Sequence, residues 1–170
     1  NSYSNKFYKL NNLKKIQDPM LELGRFCVDP NYKDPKIIMT AWSAIRKLVE
    51  KNKIKFLFGC SSFIGTSIDR YLDCFKFLKT KYIAPKKYNL YVKAPKVFRF
   101  NNLINLNNFC LKKAKKNLPP LLSFYLNLGG WVSDHVVIDD DLETMHVFTG
   151  LEVKEIPEKR LKFLYKINLN

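Results

Sequence analysis

Acidic residues are scarce in this chain. Fifteen Asp and Glu stand against 30 Lys and Arg, a formal net charge of +15 in 170 residues. Such a chain is drawn to something acidic: nucleic acid, an anionic bilayer or an acidic protein. Heavy use of Asn, Lys and Ile, the residues that AT-rich codons specify, accounts for part of the excess. Cysteine is also sparse. Cys27, Cys60, Cys74 and Cys110 show no CxxC spacing and each has apolar neighbours, which predicts reduced core thiols of a cytosolic protein. His135 and His146 lie near no cysteine in sequence, so no metal site is expected. The longest uncharged run, Asn117–Ser133, contains Pro119-Pro120, Asn127 and Gly129-Gly130. It is therefore read as a helix followed by a strand and not as a membrane span. No Gly-x-Gly loop and no internal repeat occurs. The first residue is Asn, from which processing or a fragment is expected.

Apolar residues are not lacking: 46% hydrophobic and 14% aromatic content predict one folded domain, 1–170, with a sizeable core. Residues 1–19 are a polar, lysine-rich lead-in, with Leu10, Leu13 and Ile16 at helical spacing but no core of their own. Met20–Phe63 is the organising stretch. It reads as a strand (Met20–Val28), a loop with two prolines (Asp29–Pro35), a helix and a second, nearly continuous apolar strand (Lys55–Cys60). Asp34 followed by Pro35 is a helix start, an N-cap side chain and then proline at the first helical position. Ile37, Ala41, Ile45, Leu48 and Val49 would form the buried stripe of that helix. A helix between two buried strands is a βαβ crossover, so the strands should be parallel and the fold α/β.

Within the first strand, Glu22 is costly to bury unless it is paired or functional. Arg25, three residues on, points to the opposite face and is not its in-strand partner. The helix start at Asp34-Pro35 offers open N–H groups that could hold a phosphate with Lys33 and Lys36. Gly59-Cys60-Ser61-Ser62 puts small polar residues at the carboxyl end of a parallel strand, where α/β folds bind ligands.

Further along, Thr66 or Ser67 is expected to cap a helix whose buried stripe is Ile68, Leu72, Phe75 and Leu78. Lys81–Phe100 reads as a loop or edge ribbon. Lys112, Lys113, Lys115 and Lys116 form either a solvated helix face or a docking patch. Leu118–Leu128 is a short helix opened by proline and closed by Gly129. Trp131–Ile138 and Thr144–Val153 read as strands around the acidic turn Asp139-Asp140-Asp141. The basic tail, 154–170, carries Leu161, Phe163, Leu164 and Ile167 to pack.

Three ordered blocks resemble one family. Glu22-Leu23-Gly24-Arg25-Phe26-Cys27-Val28 with Asp29-Pro30-Asn31-Tyr32 is similar to the fourth strand and following loop of the ornithine-lipid N-acyltransferases. These GNAT-fold enzymes are related to the acyl-homoserine-lactone synthases. Phe58-Gly59-Cys60-Ser61-Ser62-Phe63 is the second block. Leu118-Pro119-Pro120-Leu121-Leu122, then Tyr125-Leu126, Leu128-Gly129 and the acidic turn, is the third. Together they span roughly residues 20–150.

The resemblance implies a GNAT fold with a central mixed sheet, a parallel βαβ unit and flanking helices. The family has further strands and helices before the Glu22 strand, so the chain is expected to be the C-terminal portion of the fold. The implied reaction moves a 3-hydroxyacyl group from acyl carrier protein to the α-amine of ornithine, giving a lyso-ornithine lipid. The thioester sits on the carrier's phosphopantetheine, and no resident cofactor is implied. Glu22 matches the family's glutamate and is the candidate base; Arg25 matches its arginine and would order the site. Asn31, Lys33, Lys36, Cys60, Ser61 and Ser62 are candidates for donor binding. Asp139, Asp141 and Thr144, which align with the family's acidic turn, are candidates for acceptor binding. Cys27 and Cys60 could be imagined as acyl carriers, but their apolar neighbours favour inert packing.

Two departures matter. Coenzyme-A-binding GNAT proteins have a glycine-rich pyrophosphate loop where this chain has Pro30-Asn31-Tyr32-Lys33-Asp34-Pro35, which suits a carrier-protein donor. His146 stands where the family usually has an acid, which puts the acceptor in question. The implied partners are an acidic carrier protein, an amino-acid acceptor and peripheral contact with an anionic inner membrane, in a cytoplasmic protein. A basic nucleic-acid-binding module and an inactive membrane-associated fragment are the alternative classes. The former lacks an RNP-type aromatic-basic motif, and no nucleic acid is expected.

Overall fold

A computed structural model describes residues 2–14, 16–24, 26, 28–29, 31, 34–88 and 90–166. The chain opens with α1 (Ser4–Phe7), β1 (Tyr8–Lys9) and α2 (Asn11–Lys14), followed by β2 (Met20–Glu22), α3 (Pro35–Lys51) and β3 (Phe56–Ile64). A 3-10 turn leads into α4 (Leu72–Lys81), then β4 (Tyr91–Val92), β5 (Val97–Arg99), α5 (Leu111–Asn117) and α6 (Pro120–Asn127). The last elements are β6 (Trp131–Val132), β7 (His135–Asp139), β8 (Thr144–Glu152) and α7 (Glu158–Lys166).

The main sheet runs β2-β3-β8-β7-β5, with β6 also on β8; β1 and β4 form a separate antiparallel pair. β2 and β3 are parallel, and the remaining pairings of the main sheet are antiparallel. This is the expected mixed sheet with its βαβ crossover. Asp34 caps α3 by accepting from the Lys36 N–H, with Pro35 at the first helical position. The buried stripe of α3 lies one step from the expected one. Ile38, Trp42, Ile45 and Val49 pack inward, whereas Leu48 is half-exposed. Trp42 sets that phase, because its ring stacks on Phe124 at 5.0 Å and meets Tyr125 edge-on at 4.9 Å.

Alternation along the strands sorts the core into layers. One sheet face carries Phe63, Val136, Met145 and Val147 under α4, α5 and α6. Towards β2 the same side holds Leu57 and Leu151 against α3 and α7, whose Leu164 is buried there. Phe163 is exposed, contrary to the expectation that it packs, and Ile167 lies outside the described residues. The opposite face carries Phe56, Phe58, Val137 and Phe148, covered by Tyr8, Leu10, Leu13, Tyr88 and Trp131.

The N-terminal lead-in is thus part of the core. Tyr8 is fully buried, and β1 is held by β4 through Tyr8–Val92 and Lys9–Tyr91 pairing. Its local composition does not reveal this, because the apolar surface it needs is supplied by distant strands. The helix after β3 also starts differently from expectation. Neither Thr66 nor Ser67 caps it; Asp69–Tyr71 forms the 3-10 turn, with Tyr71 Oη donating to the Ile64 carbonyl. The stripe of Phe75 and Leu78, flanked by Ile68 and Leu72, is as expected. Gly129, with φ of +92°, ends the α6 region as the sequence predicts. Of the cysteines, Cys74 is buried but Cys110 is exposed, and Cys27 lies outside the described residues.

Candidate active site

The site is built where β2 stops and β3 does not. The parallel ladder pairs Met20–Phe56, Leu21–Leu57 and Glu22–Phe58, and ends with the Leu23 N–H on the Phe58 carbonyl. β3 continues six residues further to Ile64, paired only with β8 over that length among the described residues. Gly59 permits the close approach at the parting point, since a Cβ there would sit 2.4 Å from the Leu23 carbonyl oxygen.

A cleft of about 1290 Å³ occupies the gap. Glu22, Cys60, Ser61, Ser62, Asp139 and Asp141 line it, joined by Tyr3 and Lys6 from the N-terminal segment. Pro119, Leu121 and Leu122 contribute an apolar wall from the start of α6, with Leu23 and Phe26 nearby. The cleft therefore joins a polar side to an apolar side through the gap in the sheet.

Strand register explains the polar side. Glu22, Cys60, Ser62, His146 and Asp139 share one face, because Cys60 opposes Phe148, Ser62 opposes His146 and Asp139 opposes Thr144. The N-terminal segment clamps this face. The Ser4 N–H donates to Glu22 Oε1 at 2.7 Å, and the Tyr3 hydroxyl donates to Asp139 Oδ2 at 2.8 Å. Lys6 Nζ lies 3.7 Å from Asp141. Asp139, almost wholly buried, also accepts from the Leu142 N–H. Each of the three cleft carboxylates is thus met by a residue of 3–6.

Cys60 and His146 are electrically quiet. Burial pushes the Cys60 thiol up to about 12, with the Glu22 and Asp139 charges adding to the rise; its contact at 3.5 Å with Ser4 Oγ opposes it. Burial pulls His146 down to about 4, against the upward pull of Asp139, so its ring is neutral at physiological pH. That ring is enclosed by Phe7 at 4.6 Å, Tyr8 at 6.0 Å and Tyr3 at 6.1 Å.

The candidate residues do not all converge. Glu22, Cys60, Ser61, Ser62, Asp139 and Asp141 meet in the cleft. Ser61 turns its hydroxyl away from the polar side and accepts from Thr149 Oγ1 at 2.9 Å. Thr144 neighbours Asp139 and Ile64 at the start of β8, without lining the cleft. Asn31 and Lys36 are exposed outside it; the Asn31 N–H closes a turn onto Asp29, and the Lys36 N–H is spent on the Asp34 cap. The open helix end expected to take a phosphate is therefore capped by its own side chain. Arg25 and Lys33 lie outside the described residues. Tyr3, Ser4 and Lys6 did not emerge from the sequence, where the segment reads as a polar, lysine-rich lead-in.

Comparison with known proteins agrees with this architecture. Residues 1–43 match the Acetyltransferase (GNAT) domain model, and the mixed sheet with its parallel pair and flanking helices is a GNAT fold. Within that class, the chain is related to curated L-ornithine N(alpha)-acyltransferases. It is 28% identical to the one from Rhodobacter capsulatus over 95% of this chain and 61% of the relative. It is 29% identical to that of Rhizobium meliloti over 84% and 48%, and 28% identical to that of Brucella abortus over 85% and 51%. The chain spans about half to three fifths of the length of these relatives. No solved structure matches it. Among the described residues no helix is long and apolar enough to cross a membrane.

Proposed function

We propose that this chain belongs to an N-acyltransferase that moves a 3-hydroxyacyl group from acyl carrier protein to the α-amine of ornithine. The observation that carries the reading is Glu22 at the parting of β2 and β3, lining a cleft with one acidic and one apolar side.

The chemistry follows from that placement. The ornithine ammonium gives a proton to the Glu22 carboxylate, directly or through a water. The freed amine nitrogen attacks the thioester carbonyl carbon. As the tetrahedral intermediate collapses, the C–S bond breaks, the surplus proton on the nitrogen passes to the departing pantetheine sulfur, and the proton held by Glu22 returns to solvent, leaving the amide and the free thiol. In this reading, backbone N–H groups of β3 beyond the end of β2 meet the developing oxyanion. Asp139 and Asp141 provide negative charge for the cationic acceptor, and Pro119, Leu121 and Leu122 provide apolar surface for the acyl chain. Arg25 orders the site, and Ser62 contacts the donor arm. No covalent acyl-enzyme is needed, in keeping with the protonated Cys60 thiol.

Incubation with 3-hydroxyacyl carrier protein and, separately, ornithine, lysine, glutamine or glycine tests the reading. Mass detection of N-acyl-ornithine is the expected result. Product from another amino acid reassigns the acceptor, and product from none overturns the proposal.

A further inference from the structure

The helix α5 carries a dense cluster of lysines that no acid among the described residues neutralises. Lys6, Lys87, Lys96, Lys154 and Lys162 all form ion pairs with Asp or Glu. On α5, Lys112, Lys113, Lys115 and Lys116 are all exposed, and none forms an ion pair with a described residue. Like charges three and four residues apart on a helix repel, so this clustering costs local stability. The packing of α5 rests on Ala114, fully buried in the core under α4, and on Leu118 just beyond it.

The position of α5 relative to the cleft is informative. Lys116 is three residues from Pro119, which lines the apolar side, so their α-carbons are at most about 11 Å apart along the chain. The acids of the cleft, Glu22, Asp139 and Asp141, sit on the polar side, met by residues 3–6. A cationic acceptor is thus drawn to one side of the gap and an anionic partner to the other.

We infer that the exposed lysine face of α5 is the docking surface for the acidic carrier protein that presents the acyl thioester, which enters the cleft past Pro119. This rests on the acyltransferase reading above and adds the surface that the donor uses. A protein partner fits better than a bilayer. The apolar side of α5 is turned inward through Ala114 and Leu118, leaving Leu111 as its half-exposed apolar side chain, so the helix has little to insert into lipid. Paired opposite charges across a rim steer encounter and weaken with salt, which gives the interaction a measurable signature.

The test compares two variants with equal loss of charge. One replaces Lys112, Lys113, Lys115 and Lys116 with Ala; the control replaces Lys47, Lys51, Lys159 and Lys166 on α3 and α7. Binding of holo acyl carrier protein is measured by fluorescence anisotropy at low and at physiological salt, with circular dichroism to confirm folding. The expected result is carrier binding at least about tenfold weaker for the α5 variant at low salt, with the control near wild type. Turnover of an acyl-pantetheine thioester lacking the protein should be unchanged in both.

Equal losses in the two variants overturn the inference, as does absence of carrier binding by wild type. So does an α5 variant that binds carrier normally but loses anionic phosphatidylglycerol vesicles, which would reassign the face to lipid. Carrier binding that depends on α5 but is accompanied by no acyl transfer to any amine supports the surface while sinking the catalytic reading, so the two failures are distinguishable.

Discussion

The Tyr3 hydroxyl donates to Oδ2 of Asp139 at 2.8 Å, across 136 positions of sequence. It ties the start of the chain to the end of β7 directly over the polar side of the cleft. Asp139 is almost wholly buried and receives a second bond from the Leu142 N–H. Tyr3→Phe keeps the ring contacts with Phe7 and His146 but deprives a buried carboxylate oxygen of this donor. The expected cost is about 1–3 kcal/mol of stability, read as a lower urea midpoint at unchanged slope. In the proposed reaction the same variant should raise KM for the amine more than it lowers kcat, because the carboxylate that meets the ammonium loses its orientation. An unchanged KM with the stability loss present would remove Asp139 from acceptor binding.

Glu22→Gln is the direct test of the base. The Ser4 N–H can still donate to a carbonyl oxygen at that position, so the clamp and the fold should survive. What disappears is the capacity to take a proton. The expected fall in kcat is on the order of 10²–10⁴, with near-native thermal unfolding. Near-wild-type turnover in a folded variant would require another base.

Cys60 should prove dispensable as a nucleophile. A thiol whose proton is held up to about 12 is protonated throughout the neutral range, and only the thiolate attacks. Cys60→Ala should retain transfer activity within a few fold, and mass spectra of wild type with acyl donor alone should show no acylated Cys60. A trapped thioester at that residue, with a dead alanine variant, would replace direct transfer with a two-step route.

The order in which these features could be read follows from how local they are. Asp34 and Pro35 announce α3 because capping uses neighbours in sequence, and the apolar β3 announces a buried parallel strand. The parting of β2 from β3 was half visible: Glu22 stood out as a carboxylate in an apolar strand, whereas Gly59-Cys60-Ser61-Ser62, expected at a strand end, lie inside β3 just past the end of its parallel pairing. Their proximity needed the register. The clamp was hidden, because Tyr3, Ser4 and Lys6 meet cleft carboxylates that lie 136, 18 and 135 residues away in sequence. Asn31 and Lys36 show the converse, where a plausible local pattern lies outside the cleft and its backbone N–H groups go to an ordinary turn and cap. Phase errors such as Leu48 for Trp42 arise because composition gives the stripe, while one large ring and its neighbours fix its rotation.

His146 makes stability sensitive to mild acid. Its ring is fully buried beneath Tyr3, Phe7 and Tyr8, with Asp139 and His135 as the charged or titratable groups facing it. In the unfolded chain it takes a proton near 6.5, whereas in the folded chain burial delays this to about 4. Above 6.5 both states are neutral at this residue and it imposes no penalty. As pH falls from 6.5 towards 4 the unfolded chain gains a proton that the folded chain refuses, so stability drops, by on the order of 3 kcal/mol once both are passed. Replacing His146 with Phe, which suits an aromatic enclosure, removes the titrating group. Urea unfolding at pH 7, 6, 5 and 4 should then show wild type losing stability more steeply than His146→Phe across that interval. Parallel curves for the two proteins would mean that the acid sensitivity belongs to the carboxylates of the cleft and not to this ring.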